Sequence, residues 1–197
     1  MKSFIISIKI FLFLTVLTGI LYPLLVTGIA QVVFPAKANG SLIIKNKQVI
    51  GSELIGQQFD STIYFSSRPS AVSYNPLPSS GSNYGLTNQK LKELVAARKY
   101  QFVTFNNLDS LAVVPSEMLF ASASGLDPHI SPKAALLQVD RISRQRNFNM
   151  DQKQKLIQCV TNFTEPPQLL CFGEERVNVL MLNLELDKLD KNKTANK

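Results

Sequence analysis

With 197 residues, of which 45% are hydrophobic, the chain is long enough for one ordinary domain besides a hydrophobic N-terminal segment. The formal net charge of +7 is modest and the basic residues are not interleaved with aromatic ones, which argues against a nucleic-acid-binding protein. Two cysteines and one histidine supply neither a Cys-x-x-Cys pair nor a complete coordination shell, which argues against a zinc or redox motif.

An uncharged, almost wholly apolar segment runs from Ile10 to Phe34. As a helix it reaches about 37 Å, enough to cross a hydrocarbon core of about 30 Å with some tilt. A cleaved signal peptide is the alternative, but its apolar core is usually about 7–15 residues long. We therefore expect a retained transmembrane helix at 10–34 after a short cytoplasmic N-terminus at 1–9, with the domain outside the cytoplasm. The flanking lysines alone leave the orientation ambiguous.

Small or helix-bending residues recur along this segment at intervals of four. They are Thr15, Gly19, Pro23 and Thr27, with Gly28 beside the row. Such residues form a narrow face that another membrane helix can approach closely, and a packed neighbour can help to satisfy the carbonyl that Pro23 frees. Gly and Pro are also common in membrane helices without a packing role. We expect a helix-packing face and hence a partner within the membrane.

The remaining residues predict one mixed α/β (α+β) domain at 35–187 and a polar tail at 188–197. Its first half begins with a β-hairpin at 42–50, followed by a short extended piece at 56–65. A loop rich in Ser, Pro, Gly and Asn then occupies 66–85 without any periodicity. Beyond it, the pattern predicts a helix from Thr87 to about Tyr100 and a short strand at Leu111–Val114.

Two helices and a strand are expected in the second half. Ser131-Pro132 predicts a helix start, with an apolar face through Leu136, Val139 and Ile142, and Asp151 predicts the cap of the next helix. The basic residues of this region are interpreted as a solvated helix face; they are Arg141, Arg144 and Arg146. Residues 176–186 alternate with both sides apolar, which predicts a central strand.

Side chains with potential chemistry are densest at 121–132, Ala-Ser-Ala-Ser-Gly-Leu-Asp-Pro-His-Ile-Ser-Pro, which includes Ser124, Asp127, His129 and Ser131. A catalytic triad needs the base between nucleophile and acid in space, and neighbours in a Pro-bounded loop more often form turns and caps. We therefore expect neither a catalytic nor a metal site. A rigid recognition surface is favoured, with pure scaffolding as the alternative and a membrane-anchored hydrolase as the less favoured one.

Cys159 and Cys171 flank a segment for which we find no pattern. In a domain outside the cytoplasm they could form one disulfide that closes a short loop. Two separate thiols are the alternative.

Short motifs in a fixed order resemble the KdpC family, the C subunits of bacterial Kdp potassium-transporting P-type ATPases. The resemblance covers about 22–187, and its most specific element is 121–132. The other motifs are Tyr22-Pro23-Leu24 with Thr27-Gly28, Gly40-Ser41-Leu42-Ile43, Gly51-Ser52-Glu53-Leu54-Ile55-Gly56-Gln57, Tyr64-Phe65, Arg68-Pro69-Ser70-Ala71, Gly81-Ser82-Asn83, Arg176-Val177-Asn178-Val179-Leu180 and Leu182-Asn183.

The resemblance implies an accessory subunit without its own active site, held in the bacterial inner membrane by one span, with a periplasmic domain. Implied partners are a channel-like potassium-binding subunit and a P-type ATPase subunit, which would handle potassium and ATP themselves. The family is also described as a catalytic chaperone that raises the ATP affinity of the ATPase subunit. A domain outside the membrane cannot touch nucleotide in the cytoplasm, so any such effect would be transmitted through the span and the partners.

Candidate partner-interface residues come from the matching motifs: Arg68, Asn83, Ser124, Asp127, His129 and Ser131. A stand-alone membrane-anchored binding or sensor domain is the alternative function.

Overall fold

A computed structural model describes residues 2–45, 47–169 and 171–195. They form two compact units that divide after Ser52. The first unit holds a long apolar helix and a hairpin, and the second holds helices around a small sheet. The predicted mixture of helix and sheet with one N-terminal apolar helix is confirmed, whereas the extracytoplasmic placement of the domain stays a prediction.

The N-terminal helix runs from Lys2 to Val33 and is long and apolar enough to cross a membrane, judged by length and composition. It consists of α1 (Lys2–Val16), a π-helical segment (Leu17–Leu21) and α2 (Tyr22–Val33). The π segment ends two residues before Pro23, which has no N–H to donate. In this segment Tyr22 donates its backbone N–H to the Leu17 carbonyl.

A short helix and a hairpin complete the first unit: α3 (Pro35–Ala38), β1 (Leu42–Lys45) and β2 (Gln48–Ser52). The two strands pair antiparallel with a bulge between Ile43 and Ile44, which confirms the predicted hairpin.

The second unit is built from four long helices and three short strands. The helices are α4 (Gln89–Asn106), α5 (Pro132–Gln145), α6 (Met150–Asn162) and α7 (Val179–Ala195), with a 3₁₀ turn at Ser116–Met118. The strands are β3 (His129–Ile130), β4 (Thr164–Glu165) and β5 (Arg176–Asn178), in the antiparallel order β3-β5-β4. The core between these elements is apolar, and its fully buried side chains include Phe65, Ile142, Leu156, Val177, Leu182 and Leu186.

Two helix starts differ from the predicted ones. Asn88, not Thr87, caps α4, and its side chain accepts a hydrogen bond from the Lys90 N–H. Asn149, not Asp151, caps α6 and forms a capping box with Gln152. In both cases the cap is an asparagine directly before the first helical residue, where its side chain binds a free N–H group of the first turn.

Helix α5 starts as predicted, because Ser131 accepts a hydrogen bond from the Ala134 N–H and Pro132 occupies the first turn. Its buried face was placed partly wrongly. Val139 and Ile142 are buried, but Leu136 is exposed and Ala134 belongs to the buried face instead.

The predicted strand at 176–186 is wrong beyond Asn178. The side chain of Asn178 accepts a hydrogen bond from the Met181 N–H at 3.1 Å, and the chain turns into α7. Leu182 and Leu186 are then buried at helical spacing. Only the first three residues form a strand, which is central in its sheet as expected. Because α7 continues to Ala195, most of the predicted tail is helical; 196–197 lie outside the described residues.

Two predicted extended segments are not strands in the described part of the chain. Leu111 and Val113 are exposed, and the Asp109 side chain accepts a hydrogen bond from the Leu111 N–H at 2.7 Å, which forms a local turn. Residues 56–65 form no strand, and side chains bind several of their backbone groups.

Candidate functional site

Residues 121–132, here called the motif loop, are held from both sides by backbone hydrogen bonds. Gly56 donates its N–H to the Leu126 carbonyl at 2.7 Å, and Val179 donates its N–H to the Pro128 carbonyl at 2.9 Å. The loop leads through β3 into α5. Its middle and its C-terminal end are therefore tied to the second unit.

Glycines allow other segments to lie directly against the motif loop. Gly125 has a φ of +71°, and a Cβ there would lie 2.6 Å from Val72 Cγ2 and 2.9 Å from the Ser80 carbonyl oxygen. A Cβ on Gly56 would lie 2.7 Å from the Asp127 carbonyl oxygen. Only glycine fits at these two positions without displacing backbone.

Asp127 is the charged centre of the motif loop. Its Oδ2 lies 2.5 Å from Arg68 Nη1, and its Oδ1 accepts a 3.0 Å hydrogen bond from the His129 N–H and lies 3.4 Å from His129 Nδ1. Burial raises the pKa of the Asp127 carboxyl, but the contacts with His129 and Arg68 outweigh it and bring this pKa to about 2. The carboxylate is therefore ionised at neutral pH.

The structure thus brings together three of the six candidate interface residues: Arg68, Asp127 and His129. Ser124 accepts a hydrogen bond from the Leu126 N–H within its own turn, and Ser131 caps α5. Asn83 lies in the 66–85 loop, where it is exposed with a φ of +53°. Among the hydrogen bonds of the described residues none joins Ser124 to His129, so the contact that the hydrolase alternative requires is not formed.

Two surface depressions adjoin Arg68. One is a cleft of about 390 Å³, here called the arginine cleft, whose lining includes Arg68, Arg98, Phe59, Phe102, Phe105 and Gln101. The other is shallower and runs past Leu54, Ile55 and the motif loop. Ser122 Oγ and Arg68 Nε are buried near these depressions without a hydrogen-bond partner among the described residues.

Buried arginines organise the wall of the arginine cleft, and the sequence interpretation missed them. Arg141 is 3% exposed, donates to the carbonyls of Thr62 and Tyr64, and places its guanidinium 4.4 Å from the centre of the Phe105 ring. It also donates to Asn106 Oδ1 at 2.9 Å. Burial lowers the pKa of Arg141 to about 10.

Arg146 has a similar role and binds the carbonyl between the two that Arg141 holds. Its Nε donates to the Ile63 carbonyl at 2.8 Å, and its Nη atoms lie 3.0 Å from carboxylate oxygens of Asp187 and Asp190. Its guanidinium lies 4.9 Å from the centre of the Tyr64 ring. The predicted solvated face is therefore wrong for Arg141 and Arg146, whereas Arg144 is exposed.

Two side-chain amides complete this network, and each of them both accepts from a backbone N–H and donates to the carbonyl of the same residue, as a neighbouring strand would. The Asn183 side chain accepts a hydrogen bond from the Phe65 N–H at 2.8 Å and donates one to the Phe65 carbonyl at 3.0 Å. Gln138 does the same with Ser66, at 2.7 and 3.3 Å. Helices α5 and α7 thus fix the chain directly before Arg68.

The predicted helix-packing row lies on the apolar helix. A Cβ added to Gly19 or Gly28 would meet nothing within 4 Å, so both positions leave open space. The packing role of the row Thr15, Gly19, Pro23, Thr27 and Gly28 stays a prediction. Cys159 is buried and Cys171 is exposed, and both are free thiols, so the structure contains two separate thiols instead of the disulfide.

Comparison with known proteins gives a family and close relatives. Residues 4–188 match the family described as KdpC: K+-transporting ATPase, c chain. The protein named potassium-transporting ATPase KdpC subunit of Dechloromonas aromatica is 46% identical over 188 residues, which cover 94% of this chain and 96% of the relative. Proteins of the same name from Methylococcus capsulatus and Escherichia coli strain SMS-3-5 are 48% and 44% identical, over 89% and 93% of this chain and 92% and 96% of their own lengths.

Proposed function

We propose, from the premise that this chain belongs to the KdpC family of K+-transporting ATPase c chains, that it is a non-catalytic accessory subunit of an ATP-driven, high-affinity potassium uptake complex. The observation that carries the proposal is the family match over 4–188, together with nearly full-length relatives named as subunits of a potassium-transporting ATPase. An apolar helix of membrane-spanning length at Lys2–Val33 supports anchoring in the membrane.

The proposed partners are a channel-like potassium-binding subunit and a P-type ATPase subunit. Potassium and ATP are handled by these partners, and this chain stabilises their assembly. Its N-terminus lies in the cytoplasm of a bacterial inner membrane, and its second unit lies in the periplasm. If the chain raises the ATP affinity of the ATPase subunit, it does so through contacts in the membrane, because its own domain is on the opposite side from the nucleotide.

Within this assembly the motif loop acts as a rigid recognition surface near the extracytoplasmic ion entrance. Three features support this role: the close packing at Gly56 and Gly125, the ionised Asp127 held by Arg68, and the backbone bonds from Gly56 and Val179 to the middle of the loop. Pre-organised loops bind with a small entropy cost, because little freedom remains to be lost. Ser124 and Asn83 are exposed beside this frame and can contact a partner directly.

Co-purification tests the proposal. A tagged full-length chain, extracted with a mild detergent and analysed by mass spectrometry, should carry a large polytopic protein and a P-type ATPase with it. A chain that travels alone would instead indicate the stand-alone binding or sensor domain.

A second experiment tests the motif loop. Replacing Asp127 and His129 with alanine should weaken assembly or potassium uptake at low external potassium, because the frame of the loop loses its ion pair. Ser124→Arg adds bulk on the exposed side, leaves the Arg68–Asp127 ion pair in place and should have a similar effect. Normal assembly and uptake in both variants would show that the loop is not an interface.

A further inference from the structure

Of the two arginines that line the arginine cleft, only one contacts a carboxylate that the structure describes. Its lining holds two guanidinium groups, of Arg68 and Arg98, and one carboxylate, of Asp60. Arg68 is paired with Asp127, and Asp60 accepts a 2.7 Å hydrogen bond from Gln58. Arg98 donates to the Leu119 carbonyl at 2.9 Å but lies within 4.0 Å of no carboxylate of the described residues. A half-buried cation that contacts no carboxylate costs free energy that an incoming anion would recover.

The shape and lining of the cleft restrict what that anion is attached to. About 390 Å³ lies in the range of binding pockets, and the floor is apolar where Phe102 and Met118 contribute buried side chains. Gln101 and Asp60 are exposed at the rim, so the cleft opens to the protein surface. A ligand that fits this lining therefore carries an apolar group next to its anionic group and can enter from the protein surface.

The walls of the cleft are fixed before anything binds. Arg141 stacks on Phe105 and holds the carbonyls of Thr62 and Tyr64, while Gln138 holds both backbone groups of Ser66. These bonds hold the segment 62–66, which leads directly to Arg68 on the wall of the cleft. A pre-organised site of this kind suits a partner whose own segment inserts without remodelling the domain.

We propose that the arginine cleft receives an aspartate or glutamate side chain, with an adjacent apolar side chain, from another protein subunit. The carboxylate pairs with Arg98 beside Arg68, and the apolar neighbour covers Phe102 and Met118. The choice of a protein segment as the occupant rests on the proposed function, which makes this chain one subunit of a larger assembly. The cleft is then a second docking point, separate from the exposed side of the motif loop.

Site-specific photo-crosslinking in the assembled complex tests the occupant. Benzoylphenylalanine placed at Gln101, on the rim of the cleft, should crosslink to an acidic segment of a partner subunit. The same residue at Lys92, which is exposed on α4 and does not line the cleft, is the control and should give no such product. A Gln101 product no stronger than the Lys92 control, or one joined to a second copy of this chain, would overturn the proposal.

Charge variants test the ion pair. Arg98→Met should raise dissociation of the chain from the complex roughly five- to thirty-fold at moderate salt, whereas Arg98→Lys should retain most of the binding. Arg98→Met also removes the bond to the Leu119 carbonyl, so a second variant, Gln101→Glu, is needed. Gln101 is exposed, so this change should leave the fold intact and weaken binding by repelling the incoming carboxylate. Gln101→Lys, the control, should not weaken binding. Equal retention of all four variants would refute the proposal.

The outcomes separate this inference from the proposed function. A wild-type chain that co-purifies with no partner contradicts the proposed function itself. A wild-type chain that co-purifies normally but shows neither the Gln101 crosslink nor the charge effects contradicts only the assignment of the cleft.

Discussion

Asp127→Asn is expected to destabilise the domain by roughly 2 kcal/mol at neutral pH and to remove part of its acid sensitivity. Burial raises the pKa of the Asp127 carboxyl, but the contacts with His129 and Arg68 bring it from 3.8 to about 2. One pKa unit corresponds to about 1.4 kcal/mol, so this difference is worth roughly 2 kcal/mol of stability. The amide keeps the size of the side chain but loses the charge that Arg68 neutralises.

The sign of the pH dependence follows from the lowered pKa. Because the folded carboxyl titrates below the unfolded one, its contribution is fully present above the unfolded value near pH 4 and is lost as the pH falls towards 2. Thermal unfolding of the full-length chain in detergent, recorded from pH 2 to 7, should therefore show a smaller loss for Asp127→Asn than for the wild type across that window.

A matched control comes from an exposed ion pair. Asp140 lies 2.6 Å from Lys153 Nζ but is 64% exposed, so Asp140→Asn should change the stability by less than about 1 kcal/mol. If Asp127→Asn and the wild type lose stability in parallel between pH 4 and pH 2, the reasoning from the Arg68 and His129 contacts is refuted.

Three further predictions concern packing, thiols and the membrane helix. Gly125→Ala should lower the unfolding midpoint by the equivalent of about 1–3 kcal/mol, because its φ of +71° and its close contacts exclude a Cβ, whereas Gly85→Ala, with open space, should be nearly neutral. A maleimide should label Cys171 at once but Cys159 only on unfolding, because Cys159 is buried and burial raises its pKa to about 11; resistance of Cys171 to labelling would indicate a disulfide. Pro23→Ala should lower the fraction of the chain that co-purifies with membrane partners.

Features set by a few neighbouring residues could be predicted from the sequence. The hairpin at 42–50 and the start of α5 at Ser131-Pro132 depend on local turn and cap chemistry, and the structure has both. The strand predicted at 176–186 failed because seven of its eleven positions are apolar and fall on both faces of a strand, so both a two-residue and a 3.6-residue period fit. The deciding group is the Asn178 side chain, which accepts the Met181 N–H and starts α7.

The candidate site was predictable only in part, for a related reason. The motif loop is a local signal, and the structure has Asp127 and His129 side by side in it, whereas its role as a rigid recognition surface stays a prediction. Arg141 in α5 and Arg146 directly after it bind backbone carbonyls of 62–64, which lie 77 to 83 positions earlier in the chain. Pairing between a side chain and distant backbone leaves no periodic pattern, so Arg141 resembled a residue on a solvated face until its contacts were known.

The π segment gives the N-terminal apolar helix the geometry that the predicted packing row would use. In a regular α-helix four residues advance about 40° beyond a full turn, so three such steps carry Thr27 about 120° away from Thr15. A π segment has more residues per turn and reduces this drift, and Leu17–Leu21 lies between the two threonines.

Pro23 favours the π segment because it has no N–H to complete the α-helical pattern. Pro23→Ala restores that donor, and the helix before it should turn relative to the helix after it, so that Thr15 leaves the face shared with Thr27. The co-purifying fraction should fall while the amount of chain in the membrane stays constant. Leu24→Ala, which removes apolar bulk without restoring a donor, should have the smaller effect; an unchanged fraction for Pro23→Ala would show that partners do not bind this face.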